Sequence, residues 1–457
     1  MDATDAADAA TPEQLRARVA ADMPRTTADL AALVQIPGCA FPGFPRSEVL
    51  RAADAVVALL RDAGCPDARL LDLGDNPPAV YGEVAGPPGS PTVLLYAHYD
   101  VQPPGNLDAW QSEPFQPVIR DGRMYGRGAA DDKSGVVVHA AVLRAFAGKP
   151  PCTLRVIIEG DEEFGGSFEE YPAQHPELFA ADAIVIADSG NVKVGQPTFT
   201  TSLRGMANVT VNVETMAGPV HSGVFGGPAP DALMVLINLL ATLRDASGDT
   251  AIAGLTGSQW DGVEVSEDSY REDAGVLPGV PLVGTGSIAS RLYSKPAVSV
   301  IGIDAPPVAG AINAVVPKAR AVVSLRIAPG TDAAEAQRLL VDHLRRHAPW
   351  GVEVTVEPGP IGDGFAAPSE GPALAAMTKA MLEVFGEEPV NTGSGGSIPL
   401  VSVLTAVAPE AAILLVGAQD GKAAIHAPNE SVDLGELERT ALTEALFIAY
   451  LAEGGSR

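Results

Sequence analysis

The sequence predicts an α/β protein with a mainly parallel sheet, interrupted by a smaller α+β domain. Three observations point there. Over residues 12–188, short apolar runs alternate with segments of helical period, the arrangement of parallel strands joined by crossover helices. From about residue 203 the order becomes β-α-β-β-α-β, the ferredoxin-like pattern. After residue 360 the first texture returns. The expected organisation is a discontinuous domain of residues 1–202 and 361–457, with residues 203–360 inserted as a second domain.

The elements follow in order. Residues 12–35 read as a helix, with Thr11 as cap ahead of Pro12 and Glu13. Residues 46–63, "RSEVLRAADAVVALLRDA", carry apolar side chains at helical spacing. "AVYGEVAG", "TVLLYAHYDV", "LRVIIEGDEE" and "AIVIADSG" are short apolar runs bounded by turns, hence strands. Between the second and third of these, "GVVVHAAVLRAFAG" is a helix by its period and its following glycine. In the inserted segment, "GMANVTVNVET" alternates as a half-solvated strand and "DALMVLINLLATLRD" is an amphipathic helix. "AVSVIGID" and "RAVVSLRIA" read as strands, "DAAEAQRLLVDHLRRH" as a helix and "GVEVTVEP" as a last strand. An acidic, glycine-rich stretch at 246–295 acquires no role. Beyond residue 360 come a helix over 371–385, a glycine-rich turn at "NTGSGGSIP", a strand "AAILLVG" and a terminal helix over 433–453.

Composition narrows the function. The chain has 457 residues, too many for one hydrophobic core. Its 46 % hydrophobic and 19 % charged residues are ordinary for a globular protein. A formal net charge of −27 would repel phosphate and argues against nucleic acid. Cys39, Cys65 and Cys152 are widely spaced with no CxxC, which fits a reducing compartment. "MDATDAADAATPEQL" has neither the basic nor the apolar region of a secretory signal, and the longest apolar stretch, "ALMVLINLLATL", is shorter than a bilayer span. The expectation is a cytoplasmic protein without nucleic-acid or membrane partners.

Chemistry-bearing residues collect at the strand ends. His98 and Asp100 follow the second strand, and Asp131 and Asp132 open the helix after it. Asp161, Glu162 and Glu163 follow the third strand, Asp188 the fourth, and His426 the late strand "AAILLVG". An acidic pair at a helix start ordinarily complements the helix dipole, and "DEE" in a loop is ordinarily solvated. Repetition at one end of a sheet, where ligands bind such folds, changes the reading. Burying that much negative charge without a cation is very costly. Two divalent ions would compensate it, and the nitrogen/oxygen donors suit zinc, cobalt or manganese.

"AHYDVQP", "GRGAADDKSG", "EGDEEFGG", "VHSGVFGG", "GGSIP" and "HAPNE", in this order over roughly residues 30–450, resemble metallopeptidase family M20, its carnosine-type and cytosolic dipeptidase branch in particular. The resemblance implies a zinc-peptidase-like catalytic domain with an inserted lid and dimerisation domain. It also implies two divalent ions per subunit, zinc first with manganese or cobalt as alternatives. His98 then resembles a ligand of one metal and Asp131 the bridging carboxylate, with Glu163, Asp188 and His426 completing the spheres. Asp100 resembles the aspartate that orients the ligand imidazole; its two-residue spacing from His98 puts both on one strand face. Family members often have a cis peptide between the equivalents of Asp131 and Asp132.

Glu162 resembles the general base, needed because metals about 3.5–4 Å apart can lower the pKa of a shared water to about 7. The order of base and ligand within Glu162 and Glu163 comes from the resemblance alone. His221 resembles a residue that reaches across a homodimer interface to the tetrahedral oxyanion, with activity requiring lid closure; Asn313 would help hold the oxyanion or the substrate. Arg326 resembles the arginine that binds a dipeptide's terminal carboxylate, and Ser397 would add a contact. The implied reaction is hydrolysis of the amide bond of a dipeptide. Removal of an acyl or succinyl group from an N-acyl amino acid is the alternative. A non-catalytic binding protein would need a missing ligand or base, and none is missing. Two features depart from the dipeptidases: Gly393 and Ser394 stand where an Arg-Glu pair is usual, and "PIGDGFAAPSEG" lacks a substrate-binding histidine of some relatives.

Overall fold

Val93, Leu94, Leu95, Tyr96 and Ala97 are all buried, so the strand Thr92–His98 turns both faces to the interior. Such strands read as unbroken apolar runs and belong in the middle of a sheet covered on both sides. In the computed structural model, which describes residues 10–165, 168–396 and 398–454, that is where it lies. The six-stranded sheet has the spatial order Arg69–Leu71, Ala79–Val84, Thr153–Glu159, Thr92–His98, Ala183–Ile186, Ala412–Leu415. The last four run parallel, with His98 opposite Glu159 and Tyr96 opposite Ile186. The first two are antiparallel additions. From Thr92–His98 the chain passes to the neighbour on one side, then returns to the neighbour on the other. That reversal opens a crevice beyond the carboxyl end of the central strand.

Helices hold the sheet in place. Pro12–Val34 begins with a reciprocal cap: Thr11 Oγ1 accepts from the Gln14 N–H (3.3 Å), and Gln14 Oε1 accepts from the Thr11 N–H (2.9 Å). Such a cap stabilises a helix by about 1 kcal/mol. Lys133–Phe146 is buried along nearly its whole length. At its start Lys133 Nζ donates to the Leu33 and Ile36 carbonyls (2.9 and 2.8 Å). At its middle, His139 joins three elements, bonding Glu444 of the terminal helix Leu434–Gly454 (2.9 Å) and the Tyr96 carbonyl (3.1 Å).

The described chain forms two compact units. One runs to Thr201, with Ala367–Thr392 and the chain from Val403 on. The other comprises Ser202–Ala366 and Gly393–Ser402. The second unit has an antiparallel sheet in the order Ala297–Asp304, Lys318–Ile327, Gly205–Glu214, Val354–Gly362. Along Gly205–Val213 buried and part-buried residues alternate, the period of a strand with one covered face. Val209, Val211 and Val213 pack with Leu236 and Leu239 of Ala232–Ala241 and Leu340 and Leu344 of Ala333–Arg346. This is the expected β-α-β-β-α-β order. Residues 246–295 add a short helix, Glu267–Asp273, and an irregular stretch tied by arginine bonds to main-chain carbonyls, such as Arg244 to Gly248 (2.7 Å) and Arg291 to Val283 (2.9 Å).

One element differs from expectation. The first part of "NTGSGGSIP" is not a turn but lies in the strand Val390–Ser394, paired beside Thr198–Leu203. Tertiary pairing overrides the local glycine signal there. A helix, Pro399–Val407, follows it. Among the described residues, no helix is long and apolar enough to cross a membrane.

Candidate metal centre

His98 ends its strand with no exposed surface. Its Nδ1 lies 3.1 Å from the Asp100 carbonyl oxygen and 3.4 Å from the Asp100 carboxylate. Its Nε2 lies 3.0 Å from Asp131 Oδ1 and 4.0 Å from Asp188 Oδ2, so that a proton kept on Nδ1 and donated to Asp100 would leave Nε2 free to ligate a cation. A second set meets the other Asp131 oxygen: His426 Nε2 is 2.9 Å from Asp131 Oδ2 and 3.1 Å from Glu163 Oε2. The result is two triads, His98–Asp131–Asp188 and Asp131–Glu163–His426, joined by one carboxylate.

The neighbours of the triads divide the remaining roles. Asp131 and Asp132 are joined by a cis peptide. Asp132 caps the helix that starts at Lys133, its Oδ1 accepting from the Gly135 N–H (3.2 Å) and its Oδ2 from the His98 N–H (3.3 Å). The ordinary explanation of an acidic pair at a helix start therefore holds for Asp132 and not for Asp131. The Asp100 carboxylate accepts the N–H groups of both Glu162 (3.2 Å) and Glu163 (3.1 Å). It thus fixes the turn after Thr153–Glu159 relative to His98. Asp161 stands outside both triads.

Two supporting residues escaped the sequence reading. Gln102 Nε2 donates to Glu163 Oε2 (2.9 Å), and it continues the alternation of His98 and Asp100, a signal that was available. Gln419 Nε2 donates to Asp188 Oδ1 (3.1 Å). Nothing in the local pattern marks Gln419, because its neighbour lies 231 residues away.

The electrostatics fit cations. Burial opposes charge on His98, but Asp100, Asp131 and Asp188 outweigh it and hold the imidazole well above its ordinary pKa. Bonds to Asp131 and Glu163 push His426 up to about 10. Burial, followed by the Asp131 charge, raises Asp188 to about 7. Burial also lifts Glu162 well above the carboxylate range; His98 opposes this, while Asp188, Asp100 and Glu163 add to it. So many acids cannot ionise together beside two imidazoles unless further positive charge is supplied. The mixed imidazole and carboxylate donors, one carboxylate shared, suit two divalent ions.

The other expected site residues lie in the second unit or outside the described residues. His221 is exposed on the two-residue strand Val220–His221, paired with Ala314–Val315. Asn313 adjoins it, its carbonyl accepting the Ser222 N–H (3.0 Å). His221 Nδ1 accepts from the Gly223 N–H (3.1 Å), which leaves Nε2 as a donor. Arg326 is part-buried on Lys318–Ile327, opposite Met206. Arg204 is nearby: burial, then the Arg326 charge, lowers its guanidinium to about 10. Ser397 lies outside the described residues.

Comparison with known proteins places this arrangement. The description "Peptidase family M20/M25/M40" matches residues 94–450. A cysteinylglycine-S-conjugate dipeptidase of Corynebacterium striatum is 41% identical over 406 residues, 87% of this chain and 89% of that protein. The Cys-Gly metallodipeptidase DUG1 of Saccharomyces cerevisiae is 27% identical over 470 residues, 94% of this chain and 96% of that one. Among solved structures, the di-peptidase Dug1p of Saccharomyces cerevisiae superposes with a TM-score of 0.80 at 25% identity, over 97% of this chain and 99% of its own. Human carnosine dipeptidase 1 shares the fold, with a TM-score of 0.79 at 24% identity over 97% and 99% of the two chains.

Proposed function

This chain belongs to peptidase family M20/M25/M40, and we propose that it is a dipeptidase whose reaction centre is the pair of triads sharing Asp131. The observation that carries the reading is that Glu162, adjacent to Glu163 in the chain and within electrostatic reach of His98 and Asp188, belongs to neither triad. His98, Asp131 and Asp188 would hold one divalent ion, and Asp131, Glu163 and His426 the other, zinc first, with manganese or cobalt able to replace it. Bound there, two such ions polarise a carbonyl and acidify water. Glu162 accepts the proton of the attacking water and delivers it to the leaving amine nitrogen. Asp100 keeps His98 in the tautomer that ligates and holds the Glu162 main chain in place.

Substrate recognition is assigned to the second unit, for which we adopt the boundaries 203–360. Arg326 pairs with the terminal carboxylate of the dipeptide, and Asn313 and Ser397 add contacts. The partner subunit's His221 donates Nε2–H to the developing oxyanion in a homodimer. Supporting the dimer, the edge strand Ala297–Asp304 exposes Val300, Ile301 and Ile303, an unpaired edge with apolar side chains that a second copy would cover. Supporting a cytoplasmic location, all three cysteines are free and buried.

The test is mass-spectrometric detection of products from one pool. It holds unblocked dipeptides, a cysteinylglycine S-conjugate among them, with N-acetyl and N-succinyl amino acids and some longer peptides. Zinc- or manganese-loaded protein should consume the dipeptides, and a chelator should stop it. Consumption of the acylated compounds with the dipeptides intact would keep the metal centre and overturn the substrate.

A further inference from the structure

Glu430, four residues beyond His426, takes no part in the chemistry above. Its carboxylate is fully buried, at 0 % exposure. Oε2 accepts from Arg127 Nη1 (2.6 Å) and the Gly128 N–H (3.0 Å), and Oε1 from the N–H groups of Ala130 and Asp131 (both 3.0 Å). All four donors come from the segment 127–131, which ends in the carboxylate that both triads share. The Glu430 carbonyl accepts the Gly126 N–H in addition (2.9 Å). One residue earlier, Asn429 Oδ1 accepts from the Gln111 N–H (2.7 Å) and Asn429 Nδ2 donates to the Ala109 carbonyl (3.0 Å).

The turn around His426, residues 424–429, runs against the backbone preferences of its own residues. Ala424, His426 and Asn429 have φ of 52°, 61° and 66°. L-residues disfavour this left-handed region; asparagine tolerates it best of the three. A turn with three such residues, carrying a half-exposed imidazole, needs tertiary contacts to fix where that imidazole points. The side chains of Asn429 and Glu430 supply them.

We propose that Asn429 and Glu430 are positioning residues, Glu430 tying the His426 turn to the Asp131 loop and Asn429 tying it to residues 109–111, so that the metal position formed by Asp131, Glu163 and His426 holds its ion tightly only while both ties are intact. The other position is anchored independently on its unshared side, with His98 at the end of a central strand and Asp188 held by Gln419. The proposal rests on the two-ion reading above.

Zinc binding to the full-length protein, measured by equilibrium dialysis against a zinc-buffering chelator, tests it. Arg127 is itself buried, so Glu430→Gln strands its charge and can compromise folding. Asn429→Gly is therefore the decisive variant: glycine accepts the positive φ, and only the two side-chain bonds are lost. Wild type should bind two zinc ions per chain. Folded Asn429→Gly should bind one of them about 10–100-fold more weakly, as loss of an outer partner does, and the other as wild type does. Its kcat should fall with KM unchanged, and excess zinc should restore kcat, which a merely structural lesion would not allow. Folded Asn429→Gly that holds both ions with wild-type affinity would overturn the clamp. A wild type that binds fewer than two ions would remove the premise, and the proposal with it.

Discussion

Glu162→Gln is the substitution that tests the proposed chemistry with the least structural disturbance. The amide matches the carboxylate in shape, and the main chain at this position is held from outside, by the Asp100 carboxylate on the Glu162 N–H (3.2 Å). Glu162 contributes no atom to either triad, so both sets of ligands remain. What disappears is the ability to take a proton and release it to the leaving nitrogen. Positioned proton transfer contributes about 10²–10⁴ to rate, so kcat should fall by that factor, a barrier increase of about 3–5 kcal/mol. KM should change little, because the side chain meets the proton in flight and no fixed substrate group. The assay is steady-state dipeptide hydrolysis by zinc-loaded protein, with zinc content measured on the same samples. Retention of more than about a tenth of wild-type turnover would refute the general-base role, since even the weakest positioned base contributes more. Loss of a zinc ion would refute the separation of Glu162 from the ligands.

Arg326→Met removes a charge-assisted pair worth about 1.5–3 kcal/mol, so kcat/KM for free dipeptides should fall about 10–150-fold. A C-terminally amidated dipeptide should be nearly indifferent to the change, and an equal loss for both substrates would argue against carboxylate recognition. Zinc at about a hundred times its dissociation constant stabilises the folded state by about 2.7 kcal/mol per site, so in a chain of this length chelation should lower the melting temperature by about 3 °C for each ion removed; an unchanged melting curve would contradict metal binding. His221→Ala and Glu162→Ala, each inactive, should regain part of the activity when mixed as heterodimers, and no recovery would sink the shared site. For His139, burial opposes the charged form but Glu444 prevails, and the folded-state pKa is raised above 6.5. Its ion pair therefore stabilises fully below the unfolded value and fades as pH rises through the folded one. His139→Gln should accordingly cost more stability at about pH 6 than at about pH 9 in urea unfolding, and the opposite trend would reverse the assignment.

The sheet was legible because its central strands are buried on both faces and so spell continuous apolar runs, and because the chemistry-bearing residues sit directly after those runs. His98, Asp131, Glu163, Asp188 and His426 were among the candidates gathered this way, the family resemblance singled them out, and the structure sets them in two groups of three, sharing Asp131, that could hold a metal ion. The division of labour between Glu162 and Glu163 was not legible, since adjacent acids carry no order in sequence. In the structure the two differ in their contacts: Gln102 and His426 engage the Glu163 carboxylate, whereas Asp100 accepts from the Glu162 main-chain N–H. The strand Val390–Ser394 was hidden for a related reason, its partner outweighing its glycine. Local pattern finds residues that terminate strands. It does not find the residues that space those termini, because these act across the fold: Glu430 on Asp131 over 299 residues, Gln419 on Asp188 over 231. A centre with two triads and one shared carboxylate depends on that spacing as well as on the ligands' identity, because a displaced Asp131 would disturb both triads at once. The residues proposed to space the ligands are therefore the ones local pattern reads least well.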